Sequence, residues 1–368
     1  MLLQPDKMKK CTSIFFSILL TTTLTMAQEE QKPSPFDVSG YLETYYVYDF
    51  NKPENNTRPS FIYSFNRHNE VNLNIGFIRG RYNTDNVRAN LALMAGTYPN
   101  ANLAAEAGVT KNIYEGNAGV KLSSTKNLWL DAGIFGSHIG FESAVGKDCW
   151  NLTRSILADN TPYYEAGAKI SYGSDNGKWF LSGMVLNGWQ RIQRVDGNSL
   201  PSFGTQVTFE PNAFVTLNSS TFIGTDKPDS ARQMRYFHNF YGIFQITDNI
   251  GLTVGFDYGV EEKNPETNST NPWMSPVIIA RFNVSDKVTL AVRGEYYEDE
   301  NGVIIATGTP NGFKTTGVSA NLDYQLLPNA VWRIEMRNLT SKDEIFTRGE
   351  GTTKNNSFIS TSLAVSFN

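Results

Sequence analysis

The sequence predicts an all-β chain, a transmembrane antiparallel β-barrel of about 16 strands with short periplasmic turns and long extracellular loops. Three observations predict it. Apolar and polar residues alternate with period two along run after run. The connections between runs alternate short and long. The composition, 40% hydrophobic and 18% charged with a mean hydropathy of −0.34, resembles that of a soluble protein, yet 12% of residues are aromatic. Membrane helices would need long apolar runs. A barrel needs only alternate residues to be apolar, plus aromatic girdles at the two membrane interfaces.

The one long apolar run lies at the N-terminus. Lys7, Lys9 and Lys10 precede the segment Ile14 to Leu20 with Leu24, and Thr25-Met26-Ala27 supplies small residues at the outer positions of a cleavage site. This order reads as a secretion signal over residues 1–27, with Gln28 as the mature N-terminus. The apolar part is too short to serve as a comfortable membrane span. Loss of three lysines and Asp6 takes the net charge from −4 to −6. Mild acidity argues against a nucleic-acid partner. Of the two cysteines, Cys11 falls in the signal, so Cys149 has no partner for an internal disulfide.

A polar, proline-containing lead-in (28–35) precedes the barrel, predicted over 36–368 as one domain. In the first run Phe36, Val38, Leu42, Tyr46, Tyr48 and Phe50 share one face, and Asp37, Ser39, Glu43 and Asp49 share the other. Seven short connections are rich in turn formers: those at 83–86, 123–127, 174–177, 210–212, 247–249, 285–287 and 327–329. Eight longer, polar connections lie near 51–68, 98–112, 140–162, 191–202, 225–232, 261–272, 299–312 and 342–354. Seven plus eight connections join sixteen strands, and an even count puts both termini on the periplasmic side. A propeller would repeat a motif every 40 residues or so, and none recurs. The final run, Ser-Leu-Ala-Val-Ser-Phe-Asn, carries an aromatic, Phe367, one place from the end, with Ile359, Leu363 and Val365 on the same face. Sixteen strands are enough to enclose water.

The chain resembles the β-barrel porin-2 (OmpL-like) family found among Bacteroidetes outer-membrane proteins. The resemblance rests on Gly40-Tyr41-Leu42-Glu43-Thr44-Tyr45-Tyr46, on Gly136-Ser137-His138-Ile139-Gly140-Phe141-Glu142-Ser143, and on the Asn-rich loop running into Pro162-Tyr163-Tyr164-Glu165-Ala166-Gly167. It implies location in the cell outer membrane and passive transport of small hydrophilic solutes and ions. It brings no cofactor and no established site residues. Homotrimerisation follows by analogy with barrels of this size, and the remaining partners expected are outer-membrane lipid and lipopolysaccharide.

Charges that alternation turns inward are the candidate pore lining: Glu43, Asp49, Glu165, Lys169 and Arg235, then Arg293, Glu295, Arg333, Glu335 and Arg337. An Arg or Lys on the lipid face near the midplane would cost about 2–4 kcal/mol, so these belong in a water-filled interior. There they could tune ion selectivity or brace neighbouring strands. The longest connection, Gly140 to Thr161, carries Trp150, Ile156 and Leu157, which suit a loop packed inside the barrel better than a solvated one. It is a candidate constriction, with Glu142, Asp148, Arg154 and Asp159 as selectivity charges. Two other functions stay open. A sugar- or peptide-selective channel would use the inward aromatics Tyr41, Tyr45, Phe237 and Tyr241 as a stacking track, and a non-transporting barrel would serve as an adhesin or surface receptor.

Enzyme chemistry is not expected. Only His68, His138 and His238 are present, and adjacent Ser137 and His138 would face opposite sides of a strand. No catalytic elbow or zinc-helix motif occurs. The acidic segment 298–302 lacks the ligand spacing of a calcium loop and reads as a solvated tip.

Overall fold

A computed structural model of the chain describes residues 34–264 and 269–368. The signal segment 1–27 and most of the lead-in lie outside them. Strand β1 (Phe36–Asp49) is followed by β2 (Val71–Asn83), β3 (Val87–Ala95), β4 (Ile113–Lys121), β5 (Asn127–Gly136) and β6 (Tyr164–Gly173). Next come β7 (Trp179–Leu186), β8 (Ser202–Asn212), β9 (Val215–Gly224), β10 (Arg235–Thr247) and β11 (Ile250–Glu262). The series continues with β12 (Thr270–Asn283), β13 (Val288–Asp299), β14 (Phe313–Leu327) and β15 (Ala330–Ser341). A small hairpin, β16 (Phe346–Arg348) and β17 (Gly351–Thr353), precedes the last strand, β18 (Asn355–Phe367). Strands β1 to β15 and β18 form one closed antiparallel barrel of sixteen, and β16–β17 is a separate two-stranded sheet in the last long loop. The sequence pattern contained no sign of that hairpin.

Closure falls between the first and last strands, in register from Gly40 opposite Phe367 to Asp49 opposite Phe358. Closing the sheet leaves no unpaired edge, the condition for a sheet to sit in hydrocarbon. The aromatic of the terminal strand takes part directly. The Phe367 ring lies across Gly40, where a Cβ would come 2.1 Å from the ring. Only a residue without a side chain leaves room for it there.

Burial is inverted relative to a soluble protein. Outward residues such as Ile78, Leu91, Ile278, Val318 and Met336 are exposed, while Glu43, Glu165, Arg333 and Glu335 are buried. Lipid is the solvent that makes this arrangement stable. Aromatics sit at both rims of the outward face. Phe36, Tyr82, Trp179 and Phe282 lie toward the short turns, and Phe50, Tyr236 and Tyr258 toward the long loops. The outward His238 is satisfied locally by Ser219 on the next strand, 2.8 Å away.

The turn expected at 210–212 is displaced. Strand β8 continues through those residues across a bulge, and the chain reverses at Ala213-Phe214. Asn212 Oδ1 accepts the Phe214 N–H, an Asx-type bond that places the reversal two residues later than composition alone suggested.

Candidate functional site

The loop between β5 and β6, L3 (137–163), turns back into the barrel instead of projecting outward. Its entry is held by His138, whose two ring nitrogens lie 2.8 Å from Glu165 Oε2 and 2.8 Å from the Thr221 carbonyl oxygen. Ser220 Oγ donates to the His138 carbonyl, and Asn239 Oδ1 accepts the Gly140 N–H. Both His138 nitrogens are thereby committed to structure, and Ser137 Oγ accepts the Ile139 N–H. The pair forms no nucleophile–base contact.

Beyond Gly140 the loop folds on itself. The Arg154 guanidinium donates to the carbonyls of Ser143, Leu152 and Ala144, at 2.5, 2.6 and 3.3 Å. Glu142 accepts the N–H and the hydroxyl of Ser155. Ser155 also caps the short helix α1 (Ile156–Asp159), accepting the Ala158 N–H. Its apolar residues then have somewhere to go. Leu157 and Ala158 pack against Val277, Ile279 and Ala291 of the wall, and Ile156 is 2% exposed.

The inward charges of β13–β15 grip this folded loop. Arg293 donates to the Thr153 carbonyl (2.7 Å) and pairs with Glu335 (3.0 Å). Glu335 in turn accepts the Thr153 N–H at 2.5 Å. Arg337 pairs with Glu295 (2.6 Å) and donates to the Arg154 carbonyl, and Glu295 accepts the Ile156 N–H. Arg333 pairs with Asp323 and donates to the carbonyls of Gly146 and Cys149. At the far side, the Tyr41 hydroxyl accepts the Lys147 N–H. Gly146 lies so close to the Glu43 carboxylate that a Cβ would stand 2.2 Å from it. The loop thus crosses the lumen from β9 to β1, held by side chains that satisfy its otherwise unpaired backbone groups.

All ten residues expected to line a pore project inward, but nine of them are buried, at 8% exposure or less. The expectation that they stand in open water is corrected for those nine. L3 covers Glu43, Arg293, Glu295, Arg333, Glu335 and Arg337, and Glu165 lies under His138. Asp49 is shielded by Arg58 (3.8 Å) and His68 from the first long loop, L1 (50–70), and by Asn356. Arg235 pairs with Glu261 at 2.6 Å. Only Lys169 keeps partial exposure, with its ammonium 4.5 Å over the Phe135 ring. Of the four loop charges, Glu142, Arg154 and Asp159 are buried and Asp148 is exposed. Burial pushes the Asp159 carboxyl up to about 7, against the pull of Arg337 and Arg154. Sequence reasoning had no way to see the covering: alternation assigns a face, not what packs on it.

The inward aromatics are likewise occupied. Tyr41 packs on Phe77, Tyr45 on Phe65, Phe237 on Trp189 and Trp273, and Tyr241 on Phe141, so they form packed clusters and not an open track. The acidic segment 298–302 is no free tip. Glu298 and Glu300 pair with Lys314, and Asp299 accepts the backbone N–H groups of Val303, Ile304 and Ile305. Above L3, toward the long loops, a cavity of about 390 Å³ is lined by Tyr63, Asn102, Asp159, Trp189, Arg191 and Arg235, among others.

A closed sixteen-strand barrel with apolar outer and polar inner faces, and one long loop folded into its lumen, defines an outer-membrane porin fold. The chain belongs to the family described as "Putative beta-barrel porin-2, OmpL-like", matched over residues 35–367. Among solved structures it is similar to an anion-selective porin from Comamonas acidovorans, with a TM-score of 0.59 at 9% identity, covering 90% of this chain and 99% of that one. It is also similar to the trimer form of OmpT, an outer membrane protein of Vibrio cholerae (TM-score 0.55, 10% identity, 90% and 99% covered). A third is Salmonella typhi OmpF in complex with daunomycin (0.58, 9%, 90% and 97%). At such identities the likeness is one of fold. No curated protein matches the chain in sequence.

Proposed function

We propose that this outer-membrane porin passes small hydrophilic solutes and ions by passive diffusion, with L3 as the constriction. The observation that carries the reading is the uneven placement of L3. It packs mainly against β9–β15, β18 and β1, and its Ala144 and Val145 reach Ile75, Phe77 and Met94 near the long-loop ends of β2 and β3. Inward polar residues nearer the short turns of the opposite wall, among them Arg79, Asn90, Asn117 and Gln206, keep partial exposure. A loop that covers mainly one wall narrows the lumen without filling it. Planar-bilayer recording tests this: the purified mature chain should add stepwise conductance that is ohmic at low voltage. Protein that inserts and conducts nothing would defeat the reading in favour of an adhesin or receptor.

The mouth cavity favours one refinement. Tyr63 and Trp189 beside Asn102, Asp159 and Arg235 present ring faces and hydrogen-bonding groups together, a combination suited to a sugar. Concentration-dependent block of conductance by a particular sugar would support a selective channel. We further infer a homotrimer, supported by the trimer form of the Vibrio cholerae neighbour. Contact with lipid and lipopolysaccharide follows from the apolar outer band and its aromatic rims. Processing after Ala27 fits export through the periplasm, and the N-terminal peptide mass of the purified protein checks it.

A further inference from the structure

Arg293, Glu295, Arg333, Glu335 and Arg337 of β13 and β15 are buried, so the charges in contact with water lie elsewhere. On the wall that L3 leaves open toward the short turns, Arg79 and Arg81 of β2, Arg88 of β3 and Lys169 of β6 all project inward and are partly exposed. Three of these four cations rest on aromatic rings. The Arg79 guanidinium carbon lies 5.0 and 5.3 Å from the ring centroids of Phe77 and Tyr114. That of Arg88 is 4.3 Å from Trp129, and the Lys169 ammonium is 4.5 Å from Phe135. Across the lumen, Arg281 of β12 sits 4.5 Å over Trp150 of L3. A ring face fixes the position of a cation without cancelling its charge.

Compensation by carboxylates is incomplete. Glu115 pairs with Arg79 (3.3 Å) and Asp131 with Arg88 (2.5 Å). Among the described residues, Arg81, Lys169 and Arg281 make no ion pair within 4 Å, while Asp131, already paired with Arg88, faces Lys169 in register, and Asp148 and Asp323 line one cavity with Arg281. Asp37 faces Arg81 in register at the periplasmic end of β1, and Glu210 lies at the periplasmic end of β8. Further along the same side, β8 and β9 carry the neutral groups of Gln206, Thr208 and Asn218. Inside a low-dielectric wall, uncompensated cations beside a water path raise the local concentration of anions.

We propose that the water path follows the β2–β6 wall and favours small anions, with Arg81, Lys169 and Arg281 setting the preference. This rests on the diffusion reading above and adds the sign of the permeating charge and the residues responsible. Small carboxylates and phosphates share the relevant chemistry with chloride, which serves as the probe. In a potassium chloride gradient across a planar bilayer, the full mature chain should show a chloride-to-potassium permeability ratio of about 2 or more. The double charge reversal Arg81→Glu with Lys169→Glu should bring the ratio below 1. The milder Arg81→Gln with Lys169→Gln should place it between, which guards against misfolding of the reversal. Heat-modifiable gel mobility confirms that each variant is a closed barrel. A wild-type ratio of 1 or less, or variants with an unchanged ratio, overturns this inference alone. Absence of any wild-type conductance overturns the diffusion reading and this inference with it.

Discussion

Asp159 sits at the end of α1 with a carboxyl that burial raises from 3.8 to about 7. An acid whose folded value exceeds its unfolded one takes up a proton on folding. Its favourable share of stability is therefore full below the unfolded value and is lost as pH rises through the folded one, here between about 4 and 7. Asp159→Asn should flatten that loss, so urea unfolding in liposomes should show the variant more stable than wild type at pH 8 and nearly equal at pH 4. A wild-type curve with the same pH slope as the variant would show that Asp159 stays ionised throughout. The neighbouring Arg337 tests the opposite case. Its removal leaves Glu295 with Arg293 (3.3 Å) as its remaining ion-pair partner and the Arg154 carbonyl without its donor, a loss of about 1–3 kcal/mol. Arg337→Ala should convert from folded to unfolded gel mobility at a lower temperature than wild type and show noisier open-channel current as L3 loosens.

At the scale of elements, L3 is a short helix and two turns suspended on the inward arginines of β13 and β15. Deleting Ala144 to Ile156 removes the segment held by Arg293, Arg333 and Arg337 and should raise single-channel conductance about two-fold or more. Unchanged conductance and selectivity would mean that this loop does not limit flow. A finer probe is Gly146, where any side chain must displace the Glu43 carboxylate. Gly146→Val should shift the loop tip toward the open wall and lower conductance while the barrel still closes, read by bilayer recording beside gel mobility. Alternation assigned the inward face of β15 correctly, with Arg333, Glu335 and Arg337 inside and Trp332 and Met336 outside. The loop bonds that consume those charges were invisible to it, because they join residues more than 130 positions apart, such as Ile156 to Glu295 and Thr153 to Glu335.

For the whole molecule, closure and assembly are the properties to test. Phe367 over Gly40 joins the last strand to the first, so Gly40→Leu should obstruct the final pairing. Less heat-resistant, fast-migrating barrel should then accumulate in outer membranes, whereas wild-type yield would show that Phe367 has another rotamer to occupy. The inferred trimer predicts a detergent-corrected mass near three times that of one chain in light scattering, and a monomer mass would remove it.

The sequence by itself determined the class of structure: a period-two pattern can bury its polar face only by closing on itself in lipid. Short and long connections then set the strand number and the sides of the membrane, to within the small shift at Ala213-Phe214 and the unforeseen hairpin β16–β17. Sequence also flagged L3, since Trp150, Ile156 and Leu157 needed something to pack on. Tertiary structure alone decided which inward charges meet water. That depends on the wall against which L3 lies, and the choice is made by distant arginines satisfying loop carbonyls. The charges most conspicuous in the sequence, on β13–β15, became the clamp. Arg81 and Lys169 on the other wall, with Arg281 across the lumen, keep partial exposure.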